Sequence, residues 1–177
     1  MIGNDIVDLS IARQESNWTR EGFLSKIYTI DEVNAITTTL DPETMVWIFW
    51  TMKESAYKIW HRDYRRRCYN PKYFECKLHE VTATSCTGTV SFGDSKCDSL
   101  TTIDSDFILS ICSTKDMALT ALHVKQTGSK RNVDERNGIL RDNTGIPYFE
   151  SPELAGELVS ITHHGRFCSY LSTVKLR

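Results

Sequence analysis

The stretch from Asp41 to about Trp60 contains no glycine, and its only proline is Pro42, directly after an aspartate suited to cap a helix. One long helix is the prediction. Met45, Ile48, Met52, Ala56 and Ile59 recur at helical spacing, and Val46, Phe49 and Trp60 widen the apolar stripe, so the helix should be largely enclosed. Any fold for this chain has to be built around it. Trp50, Glu54 and Lys58 then share one ridge, with Lys53 beside it. A carboxylate and an ammonium one turn apart on a half-buried helix suit a site for a metal and a phosphate. They equally suit an ordinary intrahelical pair, which contributes little on its own.

With 177 residues the chain can bury its own core as a single domain, 1–177, and a net charge of -2 gives no general reason to expect nucleic acid. No run approaches the length of a membrane span, and the sequence opens on a strand-like segment in place of a charged and then apolar leader. A cytoplasmic protein without membrane contact is expected. The six cysteines form no CxxC pair and have no histidine at metal-ligand spacing, so reduced thiols are expected. Cys76, Cys112 and Cys168 fall in apolar, strand-like segments, where a free thiol behaves as a small core residue.

Ile2 to Leu9 reads as a strand on which Asp5 and Val7 face one side and Asp8 the other. An inward-facing Asp5 between Ile6 and Asn4 needs a partner such as a cation; at a strand end it would cap a turn instead. Two helical pieces follow, about Trp18–Ile27 and Asp31–Ile36, the second introduced by Thr29 and Glu32 at capping-box spacing. After the long helix, Arg62, Arg65, Arg66, Arg67 and Lys72 form the most basic stretch. It is either a solvated helix end whose cations complement the dipole or a dock for an anionic ligand or acidic protein. Short strands are expected over Tyr73–Val81, Gly88–Phe92, Ser99–Ile103 and Phe107–Ser113, with one more over Ala118–Lys125. Residues 127–144 are polar and charged and are expected to be a mobile connector. Ser151-Pro152-Glu153 starts a short helix, and Val159 to Val174 reads as a hairpin with His163 and His164 at its turn. Adjacent histidines on extended backbone diverge, which suits hydrogen bonding to an anion better than shared metal ligation, unless the turn is simply exposed.

Taken in order, Gly3-Asn4-Asp5-Ile6-Val7, Phe23-Leu24-Ser25-Lys26-Ile27-Tyr28-Thr29 with Glu32, Trp50-x-x-Lys53-Glu54-Ser55-x-x-Lys58, Gly145-Ile146-Pro147 and Ser160-Ile161-Thr162-His163 resemble the motifs of the 4'-phosphopantetheinyl transferase superfamily. Their order is similar to that of holo-acyl-carrier-protein synthases, while the strands after the helix look more like those of the larger two-halved transferases. The resemblance implies an α+β fold, a long central helix on a largely antiparallel sheet, here with an enlarged strand-rich middle. It also implies a reaction: the 4'-phosphopantetheine arm of coenzyme A moves to a serine of an apo acyl or peptidyl carrier protein.

On that resemblance Asp5 and Glu54 are the expected Mg2+ ligands, since Mg2+ takes one or two protein carboxylates beside substrate phosphate. Lys58 is expected to reach a phosphate oxygen, and Glu54 or a water at the metal to accept the serine proton. His163 is expected at the nucleotide end of coenzyme A, with Ser160 and Thr162 shaping the same pocket. Val7 stands where the two-halved enzymes carry another acid, and Ile146 where a lysine is usual, which removes one cation from that segment. With one copy of each motif, the chain is expected to form a homo-oligomer, trimer or dimer, in which His163 of one subunit completes the Asp5 and Glu54 site of another. The competing expectation is a module that binds coenzyme A or a carrier protein without catalysis.

Overall fold

The computed structural model describes residues 1–128 and 131–177. The chain opens with β1 (Ile2–Asp8), α1 (Leu9–Glu15), α2 (Phe23–Ile27), α3 (Ile30–Thr38) and the long α4 (Pro42–Tyr64). Four strands follow, β2 (Glu75–Val81), β3 (Ser85–Phe92), β4 (Ser95–Ile103) and β5 (Phe107–Thr114). The C-terminal part holds β6 (His123–Thr127), α5 (Arg131–Asn137), β7 (Ile139–Arg141), β8 (Pro147–Phe149), β9 (Val159–His164) and β10 (Phe167–Ser172). The first five strands form one sheet in the order β1-β5-β4-β3-β2, and β6-β10-β9 and β7-β8 form two smaller ones. Every pairing is antiparallel, so the α+β class with a largely antiparallel sheet is what the chain adopts.

Helix α4 starts where the sequence places it, with the Asp41 carboxylate accepting the Thr44 N–H at 3.1 Å and Pro42 in the first turn. Ile48, Met52, Ala56 and Ile59 are buried against the sheet, and each large apolar side chain removed from water contributes about 1.5–3 kcal/mol. The face toward β1 and β5 is different in kind. It carries Thr51 and Ser55, whose hydroxyls bond Ser110 Oγ at 2.7 Å and donate to Ser110 O at 3.1 Å. Short polar side chains let helix and sheet approach closely, and Gly3 completes that approach. A Cβ at Gly3 would lie 2.0 Å from Ser55 O, so a side chain there would drive β1 off α4.

Several boundaries differ from expectation. Asp8 ends β1 and caps α1, accepting the Ser10 N–H at 3.0 Å, a helix the apolar run Ile2 to Leu9 concealed. The helical piece expected from Trp18 shortens to α2, because Gly22 adopts φ 78 just before it. The capping box of α3 forms as expected, yet Glu32 does more than cap: it pairs with Lys53 at 2.8 Å, both side chains all but inaccessible. Ala118–Lys125 is a 3-10 turn over Leu119–Ala121 followed by β6. The polar connector expected over 127–144 carries α5 and β7, with Ser129 and Lys130 outside the described residues. Val133 and Ile139, too sparse to show a period, bury against Phe149 and Tyr170 and give that segment its small core. All six cysteines are free thiols. Among the described residues no helix is long and apolar enough to cross a membrane.

Candidate active site

Strand β1 pairs with β5 on one edge, and among the described residues no strand pairs with the other edge. That edge is satisfied by side chains of β9. The N–H groups of Asn4, Ile6 and Asp8 donate to Ser160 Oγ at 3.3 Å, Thr162 Oγ1 at 3.3 Å and His164 Nδ1 at 2.9 Å. Alternate residues of β9 thus meet alternate residues of β1, the spacing two extended strands share. The turn beyond β9 is locked as well. Arg166 grips Asp8 through Nε at 2.9 Å, Nη2 at 3.0 Å and its backbone N–H at 3.0 Å. Those contacts hold the inaccessible Asp8 carboxyl well below the usual carboxylate range. Gly165 is required there, since a Cβ would lie 2.5 Å from Asp8 Oδ2.

This docking brings the expected residues together. Asp5, Glu54 and His163 line one cleft of about 450 Å³, walled by Trp47, Trp50 and Phe23. A second cleft of about 250 Å³ also reaches Glu54 and is lined by Lys58, His61, Arg62, Arg67 and Arg141 beside Gly145-Ile146-Pro147. Lys58 marks the junction. Its ammonium donates to Asn4 O at 2.6 Å, and to Asp5 Oδ1 and Ile161 O at 3.3 Å each, joining α4, β1 and β9. Thr162 donates to the same Asp5 oxygen at 2.8 Å. Among the described residues the other carboxylate oxygen, Oδ2, makes no hydrogen bond.

Glu54 is the electrostatically unsettled member of the group. Burial, and next the charge of Asp5, push its carboxyl up to about 7, against smaller opposing effects of Lys58 and the Tyr69 hydroxyl. Two carboxylates facing one cleft repel each other, and a divalent cation would relieve that repulsion. Among the described residues no group of three or more His, Cys, Asp or Glu could hold a metal. Two hard oxygen donors are nevertheless a donor set that fits Mg2+ when a substrate phosphate supplies further oxygens.

The geometry bears on three expectations. Ser160 and Thr162 do not shape a pocket with His163: their hydroxyls turn to β1, and Thr162 instead holds Asp5. His163, exposed, faces the apolar cleft, whereas Ser160 lines the basic one. Within one chain β9 already brings His163 to the cleft that Asp5 and Glu54 line. Finally, the basic stretch after α4 is largely engaged within the molecule. Arg62 donates to Val159 O at 2.7 Å, Arg65 pairs with Asp142, and Arg67 donates to Thr144 O at 2.6 Å, while Arg65, Arg66, Arg67 and Lys72 all stay exposed.

Two residues escaped the sequence reading. Asp8 looked like a second acid of a strand, and its cap-forming place before Leu9 was the available signal. Tyr69, in the loop after α4, packs against Trp50, Tyr57 and Phe74 with its hydroxyl buried beside Glu54. No local pattern marks it.

Compared with known proteins, the chain has no match among curated sequences. The family profile described as 4'-phosphopantetheinyl transferase superfamily matches residues 1–112, which contain β1 and α4 and therefore both carboxylates. That match spans more than half of the 177 residues and covers the two elements that Gly3 holds in contact. The chain belongs to the 4'-phosphopantetheinyl transferase superfamily, whose members act on carrier-protein domains with coenzyme A.

Proposed function

We propose that the protein is a holo-acyl-carrier-protein synthase type of transferase, moving the 4'-phosphopantetheine arm of coenzyme A to a serine of an apo carrier protein with the help of Mg2+. The observation that carries this reading is that Asp5 and Glu54, from a strand and a helix, face one cleft closely enough for the charge of one to raise the pKa of the other. Mg2+, when bound between them, supplies positive charge against the diphosphate of coenzyme A.

The chain's own residues do the remaining work. Asp5 and Glu54 would hold the cation, and Thr162 and Lys58 fix the Asp5 carboxylate from behind. Lys58 lines the basic cleft and bonds Asp5 of the other, so its ammonium can exchange the Ile161 carbonyl for a phosphate oxygen and stabilise charge that grows there. The basic cleft with Arg67 and Arg141 suits the adenosine 3',5'-bisphosphate end, which would offset the cation missing at Ile146. His163, across the other cleft, offers a hydrogen bond to the diphosphate. In the transfer a bond forms between the serine oxygen and phosphorus as the bond to adenosine 3',5'-bisphosphate breaks. Glu54 is the acceptor this chain offers for the serine proton.

The test is to incubate the protein with coenzyme A, Mg2+ and a panel of apo acyl and peptidyl carrier proteins and to weigh the carriers. Gain of the phosphopantetheine arm on a serine is the expected result. Coenzyme A binding without any transfer would favour the non-catalytic module, and neither binding nor transfer would end the proposal.

A further inference from the structure

The Tyr69 hydroxyl is buried close enough to the Glu54 carboxyl to act on its charge, yet among the described residues it makes no hydrogen bond of normal geometry. An orphaned buried hydroxyl costs about 1–3 kcal/mol, so its persistence needs a reason. Its position is strongly determined. The ring sits 4.8 Å from that of Tyr57, 5.9 Å from that of Phe74 and edge-on to Trp50 at 6.3 Å, centroid to centroid. The segment just after it is anchored by Lys53, the residue before Glu54, whose ammonium donates to Pro71 O at 3.1 Å and Phe74 O at 2.5 Å. Lys53 is in turn held by the buried Glu32. One helix therefore carries Glu54 and, through its neighbour, pins the loop that carries the hydroxyl.

We propose that Tyr69 is a positioning residue for Glu54: its hydroxyl donates to one carboxylate oxygen and so turns the other toward Asp5 and the cation. This rests on the reading of Asp5 and Glu54 as a metal-holding pair. An outer partner that orients a ligand typically sets metal affinity by about 10- to 100-fold.

The experiment measures Mn2+ binding to the intact protein by electron paramagnetic resonance, with coenzyme A present and no acceptor, for wild type, Tyr69→Phe, Asp5→Asn and Glu54→Gln. Tyr69→Phe keeps the ring and should bind Mn2+ about tenfold more weakly, with a melting temperature no lower than that of the wild type and an unchanged affinity for coenzyme A measured without metal. Wild-type Mn2+ affinity in Tyr69→Phe, while Glu54→Gln loses binding, would overturn the role of Tyr69 and leave the metal site standing. Unaltered binding in Asp5→Asn and Glu54→Gln would remove the site itself, and the inference with it. Should Tyr69→Phe fail to fold, a crystal structure of the wild type with Mg2+ and coenzyme A decides. A Tyr69 hydroxyl within about 3.0 Å of a Glu54 oxygen supports the proposal, and one still unpartnered contradicts it.

Discussion

Thr162 donates its hydroxyl to the Asp5 carboxylate at 2.8 Å, joining residues 157 positions apart in a single chain. With the Ser160 and His164 contacts to β1, it carries the C-terminal hairpin onto the first strand and places His163 across from both acids. The arrangement assembles within one copy what one set of motifs suggested two copies would share. Mixing an Asp5→Asn protein with a His163→Ala protein should therefore restore no transfer activity. Recovery on mixing, toward the fraction expected of shared sites, would show that the hairpin serves a neighbouring subunit.

The raised pKa of Glu54 fixes the sign of two pH effects. In the metal-free protein this carboxyl is easier to bury protonated, so its favourable contribution is complete below its ordinary value near 4.5 and is lost as pH rises through about 7. Glu54→Gln should consequently stabilise the metal-free protein at pH 8, by about 2 kcal/mol, and have little effect at pH 5. Metal affinity of the wild type should climb from pH 6 to pH 8 as the proton leaves. Denaturant melts across that range check the first expectation and calorimetric Mg2+ titrations the second.

Gly3 permits the contact on which both carboxylates depend. Gly3→Ala puts a methyl carbon about where Ser55 O stands, and the rigid helix backbone cannot yield as a flexible side chain would. The variant should lose several kcal/mol of stability, of the size of an overpacked core, and its remaining folded fraction should bind metal poorly. A melting temperature equal to that of the wild type would show that β1 and α4 are less tightly apposed.

Arg65 and Arg67 hold the loop that walls the basic cleft. Replacing both by glutamine should raise KM for coenzyme A several-fold and leave KM for the carrier protein nearly unchanged. The opposite pattern would return these arginines to the carrier-protein dock that their clustering first suggests.

The centre of the molecule is legible because its signals are local. Asp41 and Pro42 open α4, the apolar period names its buried face, and Thr29 with Glu32 writes out a capping box. Asp5 and Glu54 could be paired in advance because their motifs match a family, not because either stretch alone demands a partner. What the sequence hides are relations across distance. Lys53 looks as exposed as Lys58, yet it is fully enclosed and paired with Glu32, and nothing around it in the chain distinguishes the two. The hydroxyls of Ser160 and Thr162 are likewise ambiguous until β1 lies beside them. The bonds that Arg65 and Arg67 make are hidden in the same way, because Asp142 and Thr144, their partners, sit 77 residues away.

The central claim is that the acids on β1 and α4 share one divalent cation. Crystals grown with Mn2+ and coenzyme A test it directly through anomalous scattering. The account predicts a single peak about 2.1 Å from one oxygen of Asp5 and one of Glu54, with diphosphate oxygens completing its shell. A bound coenzyme A whose diphosphate lies away from both carboxylates, with no peak between them, would contradict it.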